Sequence, residues 1–274
     1  MSQGVLYAFY DLEITWATYD SINFLVLADI ERERRGLEHV HVVIVPGRTN
    51  GFQDTAEYPD FNKEWRQRQI VISGIGLLPS ARGHTVCQSR SQAEQLRREL
   101  ARHVFPATYT VDEPYTDIYF ATIVEHDAAG RRVDRLQAPA AARAEMRTWL
   151  DRIAHGRRVV TITLRECIYD DYRNSLTDNW LAFAREIQAE GFCPVIVRDT
   201  ETTFETLPPE FDGLPVCPQA AVNMELRAAL YAEAYLNTGI NQGPFTLWHF
   251  MQEVPYLCCY IVGRYPSDIR ETQI

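Results

Sequence analysis

The sequence predicts an α/β protein of two Rossmann-like lobes, each a parallel sheet flanked by helices, with a ligand cleft between them. Three observations predict it. Short runs rich in β-branched apolar residues alternate with amphipathic helix-length segments along the chain, the pattern of βαβ units in parallel sheets. That alternation lapses in the stretch from His126 to Pro139, which divides the chain into an N-terminal lobe (1–135) and a C-terminal lobe (136–274). The 274 residues are 46% hydrophobic, enough to bury a core in each lobe.

The first lobe opens on a strand at Val5–Phe9. A helix follows over Ser21–Arg35, with Ile22, Leu25, Val26 and Ile30 at helical spacing and Asp29 facing out. Gly36 stops the helix, and Pro46-Gly47 stops the Val-rich strand His39–Val45, completing one βαβ unit. Further on, the pattern predicts a helix over Asp60–Ile72, a brief strand at Thr85–Cys87, a charged helix over Ser91–His103 and a strand at Ile118–Val124.

In the second lobe a helix runs from Pro139 to Ala154, and Arg158–Leu164 (RVVTITL) reads as a buried parallel strand. Thr177–Ala189 is an amphipathic helix that Gly191 ends before the strand Pro194–Val197. A helix over Asn223–Ala232, a strand at Ala234–Asn237, a helix over Pro244–Gln252 and a strand at Tyr256–Val262 follow.

The net charge of −10 gives no broad electrostatic footprint for nucleic acid, which needs clustered Lys and Arg. The N-terminal residues lack the charged start and apolar run of a secretory signal, and no apolar run is long enough to span a membrane. The scattered cysteines have neither CxxC nor ligand spacing, and read as reduced core thiols of a cytoplasmic protein. DxD, HExxH, GxSxG and EF-hand motifs are missing and the histidines do not cluster, so no metal is required and no cofactor is expected. His249 sits among Leu247 and Phe250 and reads as a packing histidine.

Ligands of open parallel sheets bind outside the carboxyl ends of the strands, so residues just after each strand are the site candidates. After Leu164 come Arg165-Glu166 and then Arg173-Asn174-Ser175; a guanidinium fork suits a diphosphate, while a surface pair of Arg165 with Glu166 or Asp170 is the alternative. After Val197 come Arg198, Asp199, Thr200 and Glu201, where an acid would hold ribose hydroxyls or a base edge, or would simply form a polar turn. Asn237, Thr238, Gly239, Asn241 and Gly243 form a glycine-bearing loop before the Pro244 helix, whose start would hold a phosphate; an unliganded glycine turn is the other reading. In the first lobe, Asp11 and Glu13 follow the opening strand as candidate general bases, against capping or solvated loop roles. Arg48, Asn50 and Gly51 are a weaker set of the same kind.

The second lobe resembles the nucleotide-binding lobe of the GT-B glycosyltransferases, on VVTITLRE (Val159–Glu166) with YRNS (Tyr172–Ser175), PVIVRDTE (Pro194–Glu201) and YLNTGINQGPFTL (Tyr235–Leu247). Their placement is similar to that in the fucosyltransferase-like and heptosyltransferase-like groups; over the first lobe the resemblance is architectural. It implies a metal-independent glycosyltransferase moving a sugar from a nucleotide-sugar donor, bound by the second lobe, to a glycan or surface-polysaccharide acceptor on the first. Arg165 and Arg173 would neutralise the leaving diphosphate and Asp11 or Glu13 would serve as base. The chain is short for such an enzyme, which implies a reduced acceptor lobe. The alternative is a non-catalytic nucleotide- or sugar-binding or assembly protein with a degenerate form of the fold.

Overall fold

A computed structural model describes residues 4–54, 60–167 and 171–259. The chain divides into two compact units. One runs to Gln137 and takes in His249–Gln252; the other comprises Ala138–Trp248 and the chain from Glu253 onward. The return of His249–Gln252 to the first unit departs from a division at a single point.

In the first unit the elements are β1 (Val5–Asp11), α1 (Asp20–Arg34), β2 (His39–Val45), α2 (Asp60–Arg66), β3 (Ala81–Val86), α3 (Arg90–Glu99), β4 (Val104–Phe105) and α4 (Phe120–Ala128). After Arg66, α2 continues as a π-helical turn (Gln67–Ile72) and a last α turn (Ser73–Ile75). The sheet is parallel throughout, in the order β3-β2-β1-β4. Val-rich β2 and apolar β1 are buried from their middles to their carboxyl ends, as expected of central strands covered on both faces. The edge strand β3 alternates half-buried and exposed residues, a polar edge that discourages pairing with another chain.

Two expectations for this unit are corrected. Ile118–Val124 is not a strand: Asp117 Oδ1 accepts from Tyr119 N and Thr122 Oγ1 and starts α4, whose Phe120 rests against Phe250. A short apolar run does not distinguish strand from helix by periodicity. Asp29 does not face out. It is 4% exposed and receives Arg32 Nε at 2.6 Å and Arg135 Nη1 at 3.1 Å. Arginines elsewhere in the sequence make that burial tolerable.

The second unit contains α5 (Ala140–Ala154), β5 (Val159–Thr163), α6 (Thr177–Ala189), β6 (Cys193–Val197), α7 (Pro218–Val222), α8 (Met224–Glu233), β7 (Leu236–Ile240), α9 (Phe245–Phe250, whose last two residues belong with the first unit) and β8 (Tyr256–Cys259). Its parallel sheet has the order β6-β5-β7-β8. Every residue of β5 and β6 is buried, and Ile162, Leu164 and Ile196 pack with Leu181, Ala184, Phe211 and Leu214 in one core. The expected strand at Ala234–Asn237 begins and ends later, and the Pro244–Gln252 helix is the shorter α9. The Tyr256–Val262 strand is described as far as Cys259; its remainder lies outside the described residues. All six cysteines are free thiols. Among the described residues no helix is long and apolar enough to cross a membrane.

Candidate functional site

From β5 the chain goes on to β6 on one side and later to β7 on the other. In doubly wound sheets such a reversal marks the place, outside the carboxyl ends of the strands and here those of β5 and β7, where ligands bind. Arg165 leaves β5 at that point and is 6% exposed. Its backbone is clasped by Ser175: Arg165 N donates to Ser175 Oγ and Ser175 N donates to Arg165 O, both at 2.9 Å. Asn174 fastens the same loop, since its Oδ1 accepts from Arg165 Nη1 at 2.6 Å and from Cys167 N at 3.0 Å, while its Nδ2 donates to Cys167 O at 2.8 Å. Arg173 Nη2 reaches Asn241 O at 3.3 Å. Thus Arg165, Arg173, Asn174 and Asn241 meet at the switch point.

Other candidates are already engaged. Glu166 pairs with Arg198 rather than with Arg165: Arg198 donates from Nη2 at 2.8 Å and from Nε at 3.0 Å, and Thr202 Oγ1 adds a bond at 2.8 Å. The suggested partner Asp170 lies outside the described residues. Asp199 Oδ2 accepts from Glu166 N at 3.3 Å and so sits beside the β5 loop, whereas Thr200 Oγ1 donates to Ala221 O at 2.9 Å.

The loop expected from Asn237 to Pro244 is largely strand. Asn237 and Thr238 lie inside β7 with their polar atoms used by neighbouring strands, by α8 and by the residue before β8: Thr161 Oγ1 donates to Asn237 Oδ1, Asn237 Nδ2 donates to Tyr231 O and Pro255 O, and Thr238 Oγ1 donates to Thr161 O. Both are corrected from ligand contacts to buried ties. Gly239 is required by packing, since a Cβ there would lie 2.9 Å from Thr163 O and 3.3 Å from the Trp248 ring. The phosphate-cradle reading of the next helix is corrected too. The N–H groups of Phe245, Thr246 and Leu247 bond Gln242 O, Gly243 O and Pro244 O, so a start spent on its own turn offers few donors. Gln242, not singled out from sequence, donates from Nε2 to Thr163 O at 2.9 Å, tying the Asn241 loop to the end of β5.

In the first unit Asp11 is fully buried. Arg90 grips both oxygens at 2.8 and 3.0 Å, the Tyr109 hydroxyl donates at 2.7 Å and Glu13 N at 3.0 Å. A carboxylate offers about four acceptor sites, so Asp11 has none left for a substrate proton. Its role is structural, and burial together with the Asp11 charge pushes the Tyr109 hydroxyl far up. Glu13 accepts from Arg48 N at 2.6 Å and Nη1 at 3.0 Å, an outlying pair. Asn50 and Gly51 occupy a left-handed turn closed by Gly47 N donating to Gly51 O, at the rim of a groove of about 410 Å³ floored by Leu12, Ile44, Phe52 and Val86.

A different carboxylate stands out. Asp20 is the first residue of α1, its Oδ2 accepts from Thr18 Oγ1 at 2.9 Å, and Thr18 lines a small cavity with Trp16, Phe52, Lys63 and Arg66. Burial holds the Asp20 carboxyl above the usual carboxylate range, although the Thr18 hydroxyl pulls it down. The Asp20 charge, after burial, raises the hydroxyl of nearby Tyr10. Perturbed carboxyls beside cavities mark candidate acid–base groups. The sequence signal was an acid opening a helix, which is also an ordinary cap. His249 is held neutral by burial, which lowers it to about 4, and it packs on Phe120.

No protein-family model and no curated protein matches the chain. Among solved structures, a family 9 glycosyl transferase from Veillonella parvula is 12% identical, matches 93% of this chain and 80% of its own, and superposes with a TM-score of 0.56. The chain has the GT-B fold. The ADP-heptose LPS heptosyltransferase II of E. coli is 9% identical, with 94% of this chain and 90% of that one covered at a TM-score of 0.52. At these identities the GT-B likeness is one of fold.

Proposed function

We propose that the protein is a glycosyltransferase whose second unit binds a nucleotide-sugar donor and whose first unit binds a carbohydrate acceptor. The observation that carries this reading is the meeting of Arg165, Arg173, Asn174 and Asn241 at the β5–β7 switch point, in a fold shared with glycosyltransferases. Arg165 and Arg173 face the donor diphosphate and offset the charge that builds on it as the glycosidic bond breaks. Asp199, next to the same loop, accepts from hydroxyls of the nucleoside, and Thr200 ties the chain after β6 to α7. Asp20, rather than Asp11 or Glu13, takes the proton of the acceptor hydroxyl as its oxygen bonds the anomeric carbon and the nucleoside diphosphate departs. The polysaccharide acceptor, the cytoplasmic location and independence of a metal belong to this proposal.

Turnover tests it directly. Release of nucleoside diphosphate from UDP-, GDP-, ADP- or CMP-sugars (CMP for the last) is followed with a panel of glycan acceptors, with and without a chelator. One donor class should turn over and chelation should leave the rate unchanged. Asp20→Asn should lower kcat by roughly 10²–10⁴-fold, the usual contribution of a general base, with donor affinity kept. Nucleotide binding without turnover on any acceptor would favour the non-catalytic alternative.

A further inference from the structure

The first unit carries a groove that neither the proposed base nor the donor residues use. It has a volume of about 410 Å³ and lies where three strands end, for Leu12 follows β1, Pro46 follows β2 and Val86 ends β3. That edge of a doubly wound sheet is where ligands bind, and small-molecule sites span roughly 300–1,000 Å³. One wall is a tight turn: Gly47 N donates to Gly51 O and Phe52 N to Thr49 O, both at 2.9 Å, and a Cβ on Gly47 would collide with the Phe52 backbone. The turn therefore holds Phe52 in one place. A second wall is α2 with its π-helical turn, which brings Glu64, Gln67, Arg68 and Ile72 to the groove. Turns of this kind are rare and stand frequently at functional sites. Val86, which also lines the groove, is 44% exposed and offers apolar surface that a bound molecule would cover.

We infer that this groove binds a neutral sugar ring, the unit of the acceptor next to the one whose hydroxyl reacts, so that the acceptor is an oligosaccharide. The lining decides the chemistry. Glu64 and Arg68 pair with each other at 3.4 Å, so the rim carries both charges and no net one. An anionic ring would meet the Glu64 carboxylate, with Arg68 already committed to it. The Gln67 amide donates and accepts at once, as sugar hydroxyls do. A hydrocarbon tail would strip water from these three side chains and return no hydrogen bond, which is costly. A pyranose suits both parts of the groove, because its C–H face covers Val86 and Ile72 while its hydroxyls reach Gln67 and the ion pair. Continuity with the proposed base gives the ring its place in the acceptor. Phe52 lines both this groove and the small cavity of Thr18, whose hydroxyl bonds Asp20. That place in the acceptor rests on the glycosyl-transfer reading; the binding of a sugar in the groove does not.

Saturation-transfer NMR on the full chain, without nucleotide, tests the groove. The probes are the methyl glycosides of lactose, maltose, chitobiose and mannobiose, each beside its methyl monosaccharide, with methyl glucuronide and hexanol as the charged and hydrocarbon controls. At least one disaccharide should receive saturation and bind tenfold or more tighter than its monosaccharide, and both controls should receive little. Val86→Trp, which fills the groove, should weaken disaccharide binding tenfold or more, and Gln67→Ala at least threefold, with folding followed by circular dichroism. Val86→Ile should stay within twofold of wild type. If Val86→Trp does not fold, Gln67→Ala decides. No binding of any disaccharide, equal binding of disaccharide and monosaccharide, unchanged binding in a folded Val86→Trp or in Gln67→Ala, or equal saturation of either control overturns the inference. Turnover is measured in the same proteins. Wild type that binds a disaccharide in the groove yet releases no nucleoside diphosphate from any donor would defeat the glycosyl-transfer reading and leave the sugar site standing. Turnover as fast on monosaccharides as on disaccharides, unaltered by Val86→Trp, would keep that reading and overturn the groove's part in it.

Discussion

Asp11 and Asp20 lie on either side of one loop and have opposite surroundings. Asp11 is saturated by Arg90, Tyr109 and Glu13 N. Asp11→Asn leaves the Arg90 guanidinium, 15% exposed, without its counter-charge, and should cost about 3–5 kcal/mol in urea denaturation, the usual cost of breaking a buried pair. Asp20 is the reverse case, because burial raises its carboxyl. A raised carboxyl favours folding in its protonated form; that contribution is complete below the ordinary carboxylate range and is lost as pH rises through the raised value. Ionised Asp20 therefore weakens the fold at neutral pH. Asp20→Asn should raise Tm at pH 7, the gain shrinking to nothing in acid, and the acid limb of the wild-type rate profile should lie above the range of an ordinary carboxylate. A Tm gain that persists unchanged at pH 3 would contradict this origin. Choosing bases by their position after a strand finds Asp11 but cannot show that Arg90 and Tyr109, 79 and 98 residues away, already occupy it.

Among the elements, the apolar strands β1, β2, β5 and β6 were readable because β-branched runs bounded by glycine or proline leave few other options. β7 was displaced toward the N-terminus because Asn-Thr-Gly carries turn chemistry in isolation. In the fold, Thr161, Tyr231 and Pro255 supply the partners that let Asn237 lie within a strand. β4, only two residues long, is too short to show alternation, so the preceding charged helix was extended up to it. The close approach of β7 to β5 gives a sharp prediction. Gly239→Ala places a methyl 2.9 Å from Thr163 O, with backbone behind it, and should cost roughly 1–3 kcal/mol, the penalty of an overpacked core. Chemical denaturation measures it; a loss below half a kcal/mol would mean that the strands separate more freely than their packing implies.

For the molecule as a whole, the strand–helix alternation along the sequence carried the architecture, since it allows few arrangements other than parallel doubly wound sheets. The return of His249–Gln252 to the first unit left no local mark, because Leu136 N meeting Phe250 O joins residues far apart in sequence. The placing of Arg165 and Arg173 at one sheet edge was readable for a general reason: the carboxyl ends of the strands β5 and β7 are where a doubly wound sheet holds its ligands. The loop partners Asn174, Ser175 and Gln242 fix those ends through bonds that only the folded chain displays. Nucleotide binding is therefore the central claim. Isothermal titration of UDP, GDP, ADP and CMP into wild type, Arg165→Ala and Arg173→Ala, with folding followed by circular dichroism, tests it most directly. Charge-assisted hydrogen bonds contribute about 1.5–3 kcal/mol each, so one nucleotide should bind wild type and each variant should lose roughly 10- to 150-fold in affinity with an unchanged spectrum. Equal affinities in the three proteins would contradict the account.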